Sequence, residues 1–331
     1  MLYPRAIYTH PCSGNLLVLS PGRLPTTDYY LTARQQHVPE LIWAHLDSRV
    51  PSVIDELDRV EPGSLVVIVR QAPRPVLRKL HGLRCKLGGV VWLVDDDIPG
   101  VLTCRELPLV YRLRTGFRYW WQRSLLEKLC NRVWLATPDL QQRYPEVPTS
   151  VLPPLPYQVD REHGEREPVW FYHGTASHRA ELEWLVPVVR QVQQACTNMI
   201  FEVSGSRSVA ALFSGIPRVR LLPPMCWPDF LAYTSRVSYL LGVAPLLPSR
   251  FNLVRSHTKF FDITRCGAVG VFSDRPPYCS ALPAEGVVLL PDDQQVWAAV
   301  IIALLRNETR RMELFFRAVS WCRQQQGGLP L

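Results

Sequence analysis

Two tandem α/β domains, each built on a doubly wound parallel sheet and facing its partner across a cleft, are what this sequence predicts. Three observations lead there. Short apolar runs rich in Val, Leu and Ile alternate with longer mixed segments along the whole chain, as strands buried on both faces by helices require. The alternation runs twice, and a proline-rich stretch (VLPPLPY, 151–157) followed by a charged one (160–167) separates the two passes. A chain of 331 residues is also long enough to bury two cores. The domains are accordingly placed at 1–153 and 154–331.

In order, the first domain reads as strands at 15–20, 64–71, 88–95 and 132–137 with helices between them. Residues 50–60, for example, carry Val53, Ile54 and Leu57 at helical spacing. The second domain reads as strands at 169–172, 199–204, 219–222, 237–244, 268–273 and 287–290. Between its first two strands, 180–196 places Leu182, Leu185, Val186, Val189 and Val192 three and four residues apart. Asp292 or Asp293 caps a helix through Leu305, and Asn307 starts a last helix to about residue 324, expected to return towards the first domain. No repeat at solenoid periods is present.

The hydrophobic fraction of 47% and charged fraction of 20% are those of a globular protein, and the net charge of +8 favours phosphates, nucleic acid or an anionic membrane as partners. Nine scattered cysteines, odd in number and without a C-x-x-C pair, argue against a disulfide framework and a zinc site and for a reducing compartment. No signal pattern opens the chain, and the longest apolar run, 296–305, is too short to cross a bilayer, so a cytoplasmic location is expected.

The stretch 240–278 concentrates the chemistry. A helix is expected from Ser256, as N-cap, to Cys266, with Gly267 at the left-handed position beyond it. Its first turn carries Arg255, His257 and Lys259, although the positive end of a helix dipole disfavours cations. Positive charge gathered there points to a bound anion, and Asp262, one turn on, is a carboxylate suited to a sugar diol. Together they suggest a nucleotide-sugar site; a solvated basic helix start is the other reading of the same residues.

Three further groups stand out. His173 and Gly174 end the first strand of the second domain and precede Thr175, Ser177 and His178; glycine lets backbone approach a phosphate, and Ser177 and His178 are donors. Ser204, Gly205 and Ser206 follow the next strand in the same way. An ordinary strand-to-helix turn accounts for either group equally well. Asp95, Asp96 and Asp97 end a very apolar strand. Asp95 and Asp97 have the spacing of a metal-binding pair, but they lie in the domain opposite the donor motif, which favours a metal-free role positioning acceptor hydroxyls, or a solvated strand end. Finally, residues 105–128 hold six basic and two acidic residues. Val110, Leu113, Phe117 and Trp120 fall on one helical stripe with Arg112, Arg114, Arg118 and Arg123 around it, which suits either an interfacial helix on an anionic membrane or a helix packed on its own sheet. No DNA- or RNA-binding motif is visible.

Several of these pieces resemble one family. FYHGTASHRAELEWLVP (171–187) resembles the first C-domain strand and donor-facing loop of retaining GT-B glycosyltransferases, group 1 or family 4-like, of the bacterial surface-polysaccharide type. LLGVAPLLPSRFNLVRSHTKFFDITRCGAVGVFSD resembles their donor block: a Phe-Asn loop, Ser-x-x-Lys-Phe, then an acidic residue. ATPDLQQRYPEVPTSVLPPLPY (136–157) is similar to the strand and linker that close their N-domain. The resemblance covers most of 132–292. It implies two Rossmann-like domains, with an acceptor on the first and a nucleotide-sugar on the second. It assigns catalysis to Arg255, Lys259 and Asp262, and donor contacts to Gly174, Thr175, Ser177, His178, Gly205, Asn252, Ser256 and His257. It implies no cofactor or metal beyond the nucleotide-sugar substrate, a glycan or lipid-linked acceptor, no nucleic acid, and peripheral attachment to the inner face of a membrane. Two departures are present: Asp262 replaces the usual glutamate, and Pro248, Ser249 and Arg250 stand where relatives often carry an acid. An epimerase or hydrolase of the same fold, or a non-catalytic subunit binding glycan or a partner enzyme, are the alternatives.

Overall fold

The computed structural model of the chain describes residues 1–159, 167–174, 178–283 and 285–331. Its first sheet is formed by β1 (Asn15–Ser20), β2 (Ile42–Asp47), β3 (Leu65–Val69), β4 (Gly89–Val94), β5 (Arg132–Leu135) and β6 (Ser150–Val151), in the order β2-β1-β3-β4-β5-β6. The second contains β7 (Val169–Tyr172), β8 (Ile200–Ser204), β9 (Val219–Leu222), β10 (Leu241–Ala244), β11 (Val269–Ser273) and β12 (Val288–Leu290), in the order β12-β11-β10-β7-β8-β9. Every pairing in both sheets is parallel. Helices cover both faces, so β3, β4, β7, β10 and β11 are buried along their whole lengths, which is why they read as unbroken apolar runs.

The expected strands are present, the two-residue β6 is an addition, and so is β2. It lies at the sheet edge with Ile42 70% exposed, and its apolar run, 41–44, is cut short by His45. Asp293 caps the helix Gln294–Arg306, accepting from the Gln295 and Val296 amides, and Asn307 caps Glu308–Arg323 by accepting from the Arg310 amide. The helix expected from Ser256 begins later, at Thr258, with His257 in the N-cap position and no side-chain cap. Gly267 is left-handed beyond its end, as expected, with φ +77°. This helix, Thr258–Arg265, lies close on the sheet because Gly242 has no side chain: a Cβ there would stand 2.7 Å from Ile263.

Strand order reverses between β1 and β3 in the first sheet and between β7 and β10 in the second. At such switch points the connections leave in opposite directions and open a crevice at the carboxyl ends of the strands. Apolar packing joins the two sheets beside the crevice, where the Tyr29 ring lies 5.9 Å from both Trp227 and Phe261. Polar ties surround it. Trp227 Nε1 donates to Asp28 at 2.7 Å, and Thr137 Oγ1 donates to the Val254 carbonyl at 2.9 Å. Beyond the last helix the chain reaches the first domain, where buried Arg34 donates to the carbonyls of Gly328, Tyr30 and Pro153.

Candidate active site

A cavity of about 430 Å³ occupies the crevice. Its walls come from both switch points: Pro21 and Pro25 follow β1, Arg70 follows β3, and Leu246 follows β10. Ligand sites of doubly wound sheets form at such points.

Arg255, Ser256, Lys259 and Asp262, all on or before the helix Thr258–Arg265, line this cavity. Each charged member has a partner within the protein. Lys259 Nζ donates to the His173 carbonyl at the end of β7. Desolvation pulls its ammonium below the usual lysine value, against the attraction of Asp262. Arg255 Nε lies 3.3 Å from Asp96 Oδ1, and its Nη1 donates to His178 Nε2 at 2.6 Å. His178 can accept only while neutral, and burial together with the Arg255 charge brings it down to about 4. Asp262 Oδ1 accepts from the Tyr29 hydroxyl at 2.5 Å and lies 3.5 Å from Arg265 Nη2.

Asp95 and Asp96 line the same cavity. Arg70 binds both, with Nε 3.1 Å from Asp95 and Nη2 3.0 Å from Asp96. Its backbone is left-handed, with φ 62°, a conformation costly for a non-glycine residue. Thr26 Oγ1 donates to Asp95 at 2.6 Å. Burial lifts the Asp95 carboxyl above its ordinary value although Arg70 opposes it. Against the same desolvation, Arg255 and Arg70 hold Asp96 below its own. Asp97 takes no part in the cavity. It is 2% exposed, binds the Gly100 amide at 2.9 Å and Arg143 at 2.6 Å, and accepts from Tyr144. The three acids are therefore not a unit, and the Asp95–Asp97 spacing does not make a pair. Among the described residues no three His, Cys, Asp or Glu side chains gather as metal ligands would.

Other expected donor contacts lie elsewhere. His257 is not a cation at the helix start: its ring packs 5.2 Å from Phe261, and burial brings it down to about 4. Asn252 is buried and donates to Glu181 at 2.8 Å and the Leu247 carbonyl at 2.9 Å, so it holds its own loop rather than facing the cavity. Gly205 is placed against Val209, 2.6 Å from where its Cβ would stand, and Gly174 against the Tyr172 ring at the same distance. Thr175 and Ser177 lie outside the described residues.

Sequence reasoning missed the supports. Glu202, fully buried in β8, accepts from His173 at 2.9 Å, Tyr239 and Tyr233 at 2.7 Å and Arg220 at 2.6 Å. Despite burial these donors, His173 foremost, hold its carboxyl at about 2. This hub fixes His173, whose carbonyl in turn holds Lys259. The only sequence signal is an acid inside an otherwise apolar strand.

Comparison with solved structures places the architecture. The chain superposes on WaaG, a glycosyltransferase involved in lipopolysaccharide biosynthesis, with a TM-score of 0.58 and 13% identity, over 94% of this chain and 95% of that one. The chain has the GT-B fold. An α-glucosyltransferase solved with UDP and a DNA 13-mer gives a TM-score of 0.58 at 12% identity, covering 94% of this chain and 96% of that one. TarM gives 0.54 at 11% identity; the match covers 83% of this chain but 55% of TarM, so the chain spans about half that protein's length. Neither a protein-family model nor a curated protein sequence matches.

Proposed function

We propose that the chain is a glycosyltransferase that moves a sugar, with retention, from a nucleoside-diphosphate sugar to a glycan or lipid-linked acceptor. The observation that carries this reading is one cavity that joins both switch points, with Arg255, Lys259 and Asp262 among its lining residues. The GT-B neighbours solved with UDP support it. The second domain takes the diphosphate on Arg255, Lys259 and the helix start, and the ribose on Asp262, while the first presents the acceptor beside Asp95 and Asp96. In the reaction the bond from the anomeric carbon to the diphosphate oxygen breaks. The acceptor oxygen bonds to that carbon on the same face and gives its proton to the departing diphosphate. No metal is required, because fixed cations stabilise the leaving charge.

Peripheral attachment to an anionic membrane belongs to the same proposal. The stripe seen in the sequence lies on the helix Leu109–Leu129 and points away from the sheet: Val110, Leu113, Phe117 and Trp120 are each more than half exposed. That favours the interfacial helix over one packed on its own sheet. The nine cysteines are all free, as a cytoplasmic location would keep them.

One observation favours a second reading, a non-catalytic GT-B-like subunit. Arg255, Lys259 and Asp262 are each engaged by Asp96, the His173 carbonyl and Tyr29, so a donor has to displace contacts the protein makes with itself. A thermal-shift panel of nucleoside diphosphates and nucleotide-sugars decides between the two. Ligand at 100 times its Kd stabilises by about 2.7 kcal/mol, a shift that is easily read. A panel without any shift sinks the transferase reading.

A further inference from the structure

The cations lining the cavity outnumber its carboxylates. Arg70 and Arg255 are matched by Asp95 and Asp96, and Lys259 is drawn to Asp262. Arg114 and Arg118 also line the cavity, and among the described residues neither has an ion-pair or hydrogen-bond partner. Their neighbours on the same helix do: Arg112 donates to the Leu102 carbonyl at 2.7 Å, and Arg123 pairs with Glu127 at 2.8 Å.

Position sharpens the contrast. Tyr111, Arg114, Thr115, Arg118 and Gln122 share the helix face that borders the cavity, while Val110, Leu113, Phe117 and Trp120 form the exposed stripe beside it. Arg114 and Arg118 therefore stand on the border between cavity and stripe, one turn apart. Like charges at that spacing repel, and an anion held between them removes the repulsion. The donor's diphosphate is assigned to Arg255 and Lys259 of the second domain, so this pair, on a helix of the first, is assigned to a second anion.

We infer that Arg114 and Arg118 form a phosphate subsite on the acceptor side, which binds a phosphate ester carried by the acceptor; this rests on the transferase reading above. The ester enters along the border of the apolar stripe, either as the headgroup of a lipid-linked acceptor or on a soluble one. Thr115 and Gln122 add neutral donors on the same face.

The test titrates glycerol phosphate, with neutral glycerol as control, into the full chain by calorimetry. The proteins are the wild type, the double variant Arg114→Gln with Arg118→Gln, and Lys259→Ala. The wild type is expected to bind glycerol phosphate and not glycerol, the double variant about tenfold more weakly, and Lys259→Ala as the wild type does. No binding by the wild type overturns the inference, as does loss in Lys259→Ala with the double variant unaffected. Phosphatidylglycerol vesicles form the second arm. If the double variant loses vesicle binding but keeps glycerol phosphate, the pair reads membrane charge and the subsite is overturned. UDP titrated in parallel reports the donor site alone, so the two assignments fail separately.

Discussion

Tyr29 of the first domain donates its hydroxyl proton to Asp262 of the second at 2.5 Å, across 233 residues of sequence. The carboxylate assigned to the donor's ribose is thus also a tie between the domains. Removing the hydroxyl in Tyr29→Phe should cost about 1.5–3 kcal/mol, as for other hydrogen bonds to a charged group. Chemical denaturation measures it; an unchanged midpoint would mean the bond contributes nothing to holding the domains together.

Lys259→Ala separates an anion site from a structural helix. Loss of one charge-assisted contact should weaken nucleoside-diphosphate binding by about ten- to a hundredfold. The stability of the empty protein should move by no more than about 1 kcal/mol. Removing a desolvated cation from a helix start offsets loss of its bond to the His173 carbonyl. Large destabilisation with unchanged binding would end the donor assignment.

Asp262→Asn should weaken a nucleoside diphosphate more than inorganic pyrophosphate, because only the former has a ribose for the carboxylate to accept from. Calorimetry with both ligands reads the difference. Equal losses would move Asp262 from ribose recognition to a purely electrostatic role.

Acid should destabilise the fold in two steps of the same sign. His178 and His257, both held at about 4, stay neutral while unfolded histidine protonates below 6.5, so the unfolded chain binds more protons between those values. Stability is then lost as pH falls from 6.5 to 4, on the order of 3 kcal/mol for each as an upper bound. Glu202, held at about 2, extends the loss from its ordinary 4.5 downwards. Denaturation midpoints across this range should flatten in His178→Gln; an unaltered slope would show that His178 titrates normally.

Vesicle binding tests the exposed stripe. Phe117→Ser with Trp120→Ser should reduce sedimentation with anionic vesicles by about tenfold or more, since two large rings leave the interface. High salt should weaken the wild type as well. No binding to either kind of vesicle would remove the membrane from the proposal, and equal binding to neutral and anionic ones would remove the role of its charge.

The alternation of apolar runs made the strands legible, most clearly for β3, β4, β7, β10 and β11, which are buried on both faces. β2 escaped because its apolar run, 41–44, is short and stops at His45, and the strand lies half exposed at the edge. The cations of the helix Thr258–Arg265 were legible because they contradict the helix dipole, a local conflict visible in one stretch of chain. Their partners were not: Asp96 reaches Arg255 from the other domain, and His173, 86 residues before Lys259, meets it only once the second sheet has formed. His257 misled because the same local argument counts it as a cation, whereas Phe261 and Trp321 surround its ring in the fold. Arg70 and Glu202 left faint traces, a charge at the end or inside of an apolar strand, with nothing to tell a ligand contact from a structural one.

Arg34 draws together the linker carbonyl at Pro153, where the chain leaves the first domain, and the Gly328 carbonyl, where its tail comes back. One side chain therefore clamps both crossings. Should the crevice open, this clamp would either be kept or be broken. Trimming the last four residues would free the returning arm, widen the range of that opening, and leave both sheets intact.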